Sequence, residues 1–89
     1  MKKEQDLCFK ALTKWGIESQ LNQAVEEMAE CIVAINHFKR KGSNVTEIEL
    51  IEECVDVEIM LIQLRYIFNQ KIWSIKFAEK IQRLEELLK

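Results

Sequence analysis

An all-α bundle of about four helices is the fold class this sequence predicts, and three observations carry that prediction. Proline is absent and the only glycines are Gly16 and Gly42, so long helices meet few breakers. Apolar residues recur at helical spacing along nearly the whole chain. Helix stop and start signals fall between the periodic segments: Gly16, the run "KRKGSN", and Thr46-x-x-Glu49. With 89 residues the chain makes one domain, 1–89, near the size where a lone core gives little margin. A homodimer or a dimer of dimers is expected to complete the bundle.

The first helix is marked by Leu7, Cys8, Ala11, Leu12 and Trp15, with Gly16 as its C-terminal stop. A second helix is expected from about Glu18–Ser19 to about Lys39, ended by the "KRKGSN" loop with Gly42, Ser43 and Asn44 as turn formers. Lys39, Arg40 and Lys41 complement the negative end of that helix, with phosphate binding as the alternative reading. Thr46 and Glu49 have the spacing of a capping box, and nothing interrupts the third helix before Phe68. A break is expected at Asn69–Lys71. Phe77, Ile81, Leu84 and Leu88 then form the single apolar stripe of a last helix.

Composition narrows the function classes. Apolar residues make up 48% of the chain and the net charge is −2. That is a soluble globular composition with no net attraction to nucleic acid. No apolar run is long enough to span a membrane, and the opening Lys-Lys-Glu-Gln-Asp segment is not a signal peptide. Cys8, Cys31 and Cys54 are odd in number, unclustered and set among apolar neighbours. They read as buried reduced thiols of a cytoplasmic protein, and with His37 the only histidine no zinc set is visible. Trp15 has two readings, a core ring or a platform for a nucleobase.

The acids carry the functional signal. At about 100° per residue, the second helix has a main apolar stripe of Leu21, Ala24, Val25, Met28, Ile32 and Ile35. Glu26 lies away from it, on the side of His37. Glu27 shares a second, weaker strip with Cys31, Ala34 and Phe38, and Glu30 neighbours it one turn on. The third helix is apolar nearly all round between Val57 and Phe68, with Glu58, Gln63 and Arg65 the exceptions. Its Glu53 and Asp56 fall on the side of Met60, Leu64 and Ile67, whereas Glu47, Glu49 and Glu52 read as solvated or capping acids. Two carboxylate pairs at i and i+3, each aligned with apolar neighbours on consecutive helices, converge without an equal set of inward Lys or Arg. Such a cluster repels itself unless a hard divalent cation sits in it, most naturally Mg²⁺ and alternatively Mn²⁺. A di-iron bundle would want Glu-x-x-His pairs, which this chain lacks.

Glu26-Glu27-Met28-Ala29-Glu30 and Glu53-Cys54-Val55-Asp56 together resemble the EExxE…ExxD signature of the MazG-like all-α nucleoside triphosphate pyrophosphohydrolases. The resemblance runs from "KWGIESQLNQAVEE" through "VDVEIMLIQL", and "EKIQRLEELL" is similar to the family's closing helix. It implies Mg²⁺-dependent hydrolysis of a (deoxy)nucleoside triphosphate to the monophosphate and pyrophosphate, a nucleotide-pool housekeeping activity. By carry-over, Glu27, Glu30, Glu53 and Asp56 are metal ligands, and Glu26 is the candidate catalytic residue that orients or deprotonates the water. Trp15 is a candidate contact to the base, and Lys80 and Arg83, on the last helix, are candidate contacts to the phosphates. Metal in the nest inverts its charge, so that a polyanion can approach.

Two alternatives remain at this stage. One is a phosphoribosyl-ATP pyrophosphohydrolase-like activity, although "VDVEIMLIQL" lacks the Asp-Leu-x-Tyr-His-like run of those enzymes. The other is a non-catalytic, dimeric helical interaction module. No Gly-rich loop with Lys of the P-loop kind is present, so attack at the α-phosphorus, with pyrophosphate leaving, is expected over attack at the γ-phosphorus.

Overall fold

The computed structural model describes residues 2–89. Four helices follow in order: α1 (Lys2–Trp15), α2 (Ile17–Arg40), α3 (Asn44–Ile67) and α4 (Gln70–Leu87). The described residues contain no strand, and none of these helices is long and apolar enough to cross a membrane.

The junctions follow local chemistry. Gly16 stands alone between α1 and α2 with φ +89°, a conformation that a side chain would strain. Its N–H donates to the Leu12 carbonyl at 2.9 Å. The turn into α3 differs from the expected capping box by three residues. Ser43, not Thr46, is the N-cap: Thr46 N–H donates to Ser43 Oγ at 3.2 Å and Ser43 N–H donates to Thr46 Oγ1 at 2.9 Å. The Thr46 hydroxyl also donates to the Lys41 carbonyl at 2.8 Å, which buries it in the turn and leaves Glu49 free for another partner. The break before α4 comes at Phe68–Asn69, where Asn69 Oδ1 accepts from Ile72 N–H at 3.0 Å.

Packing centres on α2 against α3, with α1 laid across both and α4 touching α3 alone. Cys8, Ala24, Ala34 and Met60 form the buried apolar core. Cys8 donates its thiol to the Ile59 carbonyl at 3.8 Å, and Phe9 meets Tyr66 edge-to-face at 6.0 Å. Arg65 lies over the Trp73 ring at 5.7 Å, and Trp73 is the one residue of α4 that is not exposed.

Each of the two strips on α2 is covered only in part: Ala24 of the main stripe is buried and Leu21 and Met28 are half-buried. Val25, Ile32 and Ile35 of the main stripe are exposed, Ile32 by 59%. The weaker strip with Glu27, Cys31 and Ala34 turns toward α3. Small side chains mark the packed positions, because Ala24 of the main stripe and Ala34 of the weaker strip, both buried, let two helix backbones approach closely where branched residues would hold them apart. α3 is only partly covered within one chain: Ile59 and Leu61 remain exposed. The shortest dimension is 23 Å, about two helix diameters, so no helix is surrounded on every side.

Candidate functional site

Glu27 and Glu30 are one turn apart on α2, and Glu53 faces them from α3. One carboxylate oxygen from each lies within 4.8 Å of the other two. Gln23, one turn before Glu27, donates from Nε2 to Glu27 Oε1 at 2.8 Å and holds that carboxylate. Glu53 is half-buried, and its Oε2 is closed to solvent with no hydrogen-bond partner. Burial first, then the charges of Glu30, Asp56, Glu27 and Glu52, push its carboxyl above the ordinary value of 4.5. Among the described residues no Lys or Arg forms an ion pair with any of these acids. An all-oxygen donor set with an orphaned, buried oxygen and no cationic side chain fits a hard divalent cation.

The acids divide two depressions on the α2–α3 face. On one side a cleft of about 460 Å³ is walled by Glu27 and Asp56 together with Trp15, Gln20, Gln23 and Gln63. Asp56 therefore borders the site through this cleft and stands outside the three-carboxylate group. On the other side Glu30 and Glu53 share a groove with His37, Glu49 and Glu52. There His37 Nδ1 lies 3.5 Å from Oε2 of the exposed Glu49, which does not cap α3, and Glu52 adds charge against Glu53. His37 pairs across to α3 and does not sit with Glu26.

The remaining sequence candidates are placed as follows. Glu26 is exposed and lies in neither the carboxylate group nor the walls of either depression. Trp15 is 56% exposed, which removes the core reading, and its ring edges the cleft beside Glu27 and Asp56. Lys80 and Arg83 are exposed on α4. Lys80 lines a separate apolar groove with Ile72, Trp73 and Phe77, so a single chain does not bring it to the acids.

Three amides were missed by the sequence reading. Gln20 is 6% exposed and Gln63 is 5% exposed, both on the cleft wall with Gln23, and Gln63 Oε1 is buried without a partner. The signal for Gln63 was present as the lone amide in the apolar run of α3. Gln20, Gln23 and Glu27 share one face at helical spacing, a polar line among apolar neighbours. Beside the acids, Cys31 and Cys54 face each other with their Sγ atoms 3.9 Å apart. Burial, then the Cys54 thiol and the Glu53 charge, raise the Cys31 thiol.

Comparison with known protein families, with curated proteins and with solved structures finds no match.

Proposed function

We propose that this chain is a divalent-cation-dependent nucleoside triphosphate pyrophosphohydrolase acting as a homodimer or dimer of dimers. The convergence of Glu27, Glu30 and Glu53, with Glu53 Oε2 left without a partner, is the observation that supports it. Glu27, Glu30 and Glu53 would hold Mg²⁺, or Mn²⁺, with Asp56 beside them on the cleft wall. A bound ion would supply charge neutralisation of the triphosphate and Lewis-acid polarisation at phosphorus.

This chain's residues do the rest. Gln23 keeps the Glu27 carboxylate oriented through its 2.8 Å bond. Trp15 offers a flat apolar face, and Gln20 and Gln63 offer amide groups, at the mouth and wall of the cleft; this combination suits a nucleobase, which stacks and hydrogen-bonds at once. Glu26 is the candidate to accept the proton of the water that attacks the α-phosphorus. Contact of Lys80 and Arg83 with the phosphates would call for α4 of a second copy to cover the acids. The exposed apolar residues of α2 and α3 (Val25, Ile32, Ile48, Val55) are the surface such a copy would bury.

Turnover of a panel of NTPs and dNTPs in ¹⁸O-labelled water with Mg²⁺ or Mn²⁺ tests the reading. Label is expected in the nucleoside monophosphate and absent from pyrophosphate. Orthophosphate with a nucleoside diphosphate as first products refutes it. The second reading, a non-catalytic helical interaction module, is favoured by the same exposed apolar faces. It requires no turnover and no rise in Tm with either ion. A native-state ligand at 100 times its Kd stabilises by about 2.7 kcal/mol, a shift thermal melts resolve.

A further inference from the structure

Cys31 on α2 and Cys54 on α3 bring their sulfurs to 3.9 Å across the helix interface. Cys31 is half-buried and Cys54 exposed, whereas Cys8 is buried and engaged with the Ile59 carbonyl. The helices on either side hold the facing pair in register, so each thiol meets the other at far higher effective concentration than any thiol in solution. A disulfide needs the sulfurs at about 2.05 Å, a closure of roughly 2 Å from the 3.9 Å observed. Two soft donors at this separation could also ligate one thiophilic metal. However, the only group of three or more metal-binding side chains among the described residues is Glu27, Glu30 and Glu53. The thiols therefore lack the third and fourth ligands of a closed zinc site, and dithiol chemistry is what remains.

We propose that Cys31 and Cys54 are a thiol-modification site that forms a reversible intramolecular disulfide, stapling α2 to α3, with a small-molecule disulfide of the glutathione class as oxidant. The exposed sulfur of Cys54 attacks one sulfur of the oxidant, breaking its S–S bond, releasing one small thiol and leaving a mixed disulfide. The Cys31 sulfur then attacks Cys54 Sγ and expels the second small thiol. The two protein protons end on the two released thiols, the protein loses two electrons, and the oxidant gains them. The staple closes the loop between residues 31 and 54 and restricts the unfolded chain. It holds whether or not the neighbouring carboxylates bind a cation.

The test is intact mass and thermal melting of the full chain at low micromolar concentration, equilibrated with oxidised and reduced glutathione in varied ratio. Wild type, Cys8→Ser, Cys31→Ser and Cys54→Ser are compared. Wild type and Cys8→Ser are expected to lose two hydrogens, to regain them with dithiothreitol, and to gain on the order of 10 °C in Tm when oxidised. Cys31→Ser and Cys54→Ser are expected to form no such species and to carry a glutathione adduct on the remaining thiol of the pair. Stable adducts on wild type without loss of two hydrogens overturn the proposal, as does a disulfide joining two chains. An oxidised form whose Tm does not rise overturns the staple.

Discussion

Replacing Gln63 by Met separates stability from function in one change. Gln63 is 5% exposed, and its Oε1 is buried with no partner. Leaving a buried acceptor unsatisfied costs about 1–3 kcal/mol, and an apolar group of similar shape removes that cost. Met has a similar length and no strong polar atom, and it adapts to irregular space. The lower half of the range is the appropriate one, because the amide sits on a cleft wall and not in a closed core. Gln63→Met is therefore expected to stabilise the ligand-free chain by about 1–2 kcal/mol. At roughly 4–8 °C per kcal/mol for a domain of this size, Tm rises by about 4–16 °C. Calorimetry with a matched urea titration reads it, and an unchanged urea slope shows that the unfolded state is not the cause. On the proposed function, the same change removes a hydrogen-bond partner from the cleft, and KM for a nucleotide substrate is expected to rise by roughly 2- to 10-fold with kcat nearly unchanged. A Tm equal to or below wild type would refute the reasoning, because it would mean that Oε1 is satisfied in the native protein.

Glu53→Gln tests the acidic cluster through pH. The Glu53 carboxyl is raised in the folded chain, so the folded state holds its proton to higher pH than the unfolded one. That contribution is fully present below the unfolded value near 4.5 and is lost as pH rises through the folded value. In chelator, wild-type Tm is expected to fall across that window more steeply than Glu53→Gln, which melts higher at pH 7 and loses its response to Mn²⁺; parallel profiles would contradict this. Ser43→Ala removes the N-cap of α3 and is expected to lower stability by about 1 kcal/mol in urea unfolding, whereas Ser43→Asp retains it. Ile32→Glu places charge on the exposed α2 stripe. It is expected to reduce the oligomer to a monomer in sedimentation velocity, and a wild type that already sediments as a folded monomer would end that line of argument.

Much of the fold was legible because helix periodicity and caps are local. Gly16, the "KRKGSN" turn and the apolar spacing predict helices that agree with α1–α4 to within a few residues. The shared face of Glu27 and Glu30 was legible for the same reason, since i and i+3 positions lie together; that Glu53 joins them and Asp56 does not depends on how α3 packs on α2. What was not legible depends on partners. Hydrophobicity ranks the Val25–Ile32–Ile35 stripe of α2 above the strip holding Cys31 and Ala34, yet it cannot say which one meets a helix of the same chain. Each strip is buried at its alanine, Ala24 on the first and Ala34 on the second, and the branched Val25, Ile32 and Ile35 are left outside. Thr46 was read as the cap, whereas Ser43 caps α3 and the Thr46 hydroxyl reaches back to the Lys41 carbonyl, a contact across the turn that spacing alone does not show. Gln63 looked like an interruption of an apolar helix until the cleft beside it was visible.

The attachment of α4 has a consequence for how motion is distributed in this molecule. It contacts α3 alone and buries none of its residues fully; beyond the Arg65–Trp73 contact, its hold on the rest is slight. Helical stability in proteins comes mostly from packing of one face, and α4 packs little of its own, so it is expected to undock or fray before the α2–α3 hairpin unfolds. Its amides are the ones that exchange first with deuterium, and Phe68–Asn69 is where a protease first gains access. The segment carrying Lys80 and Arg83 is thus expected to move about Phe68–Asn69 more readily than the hairpin that carries the carboxylates.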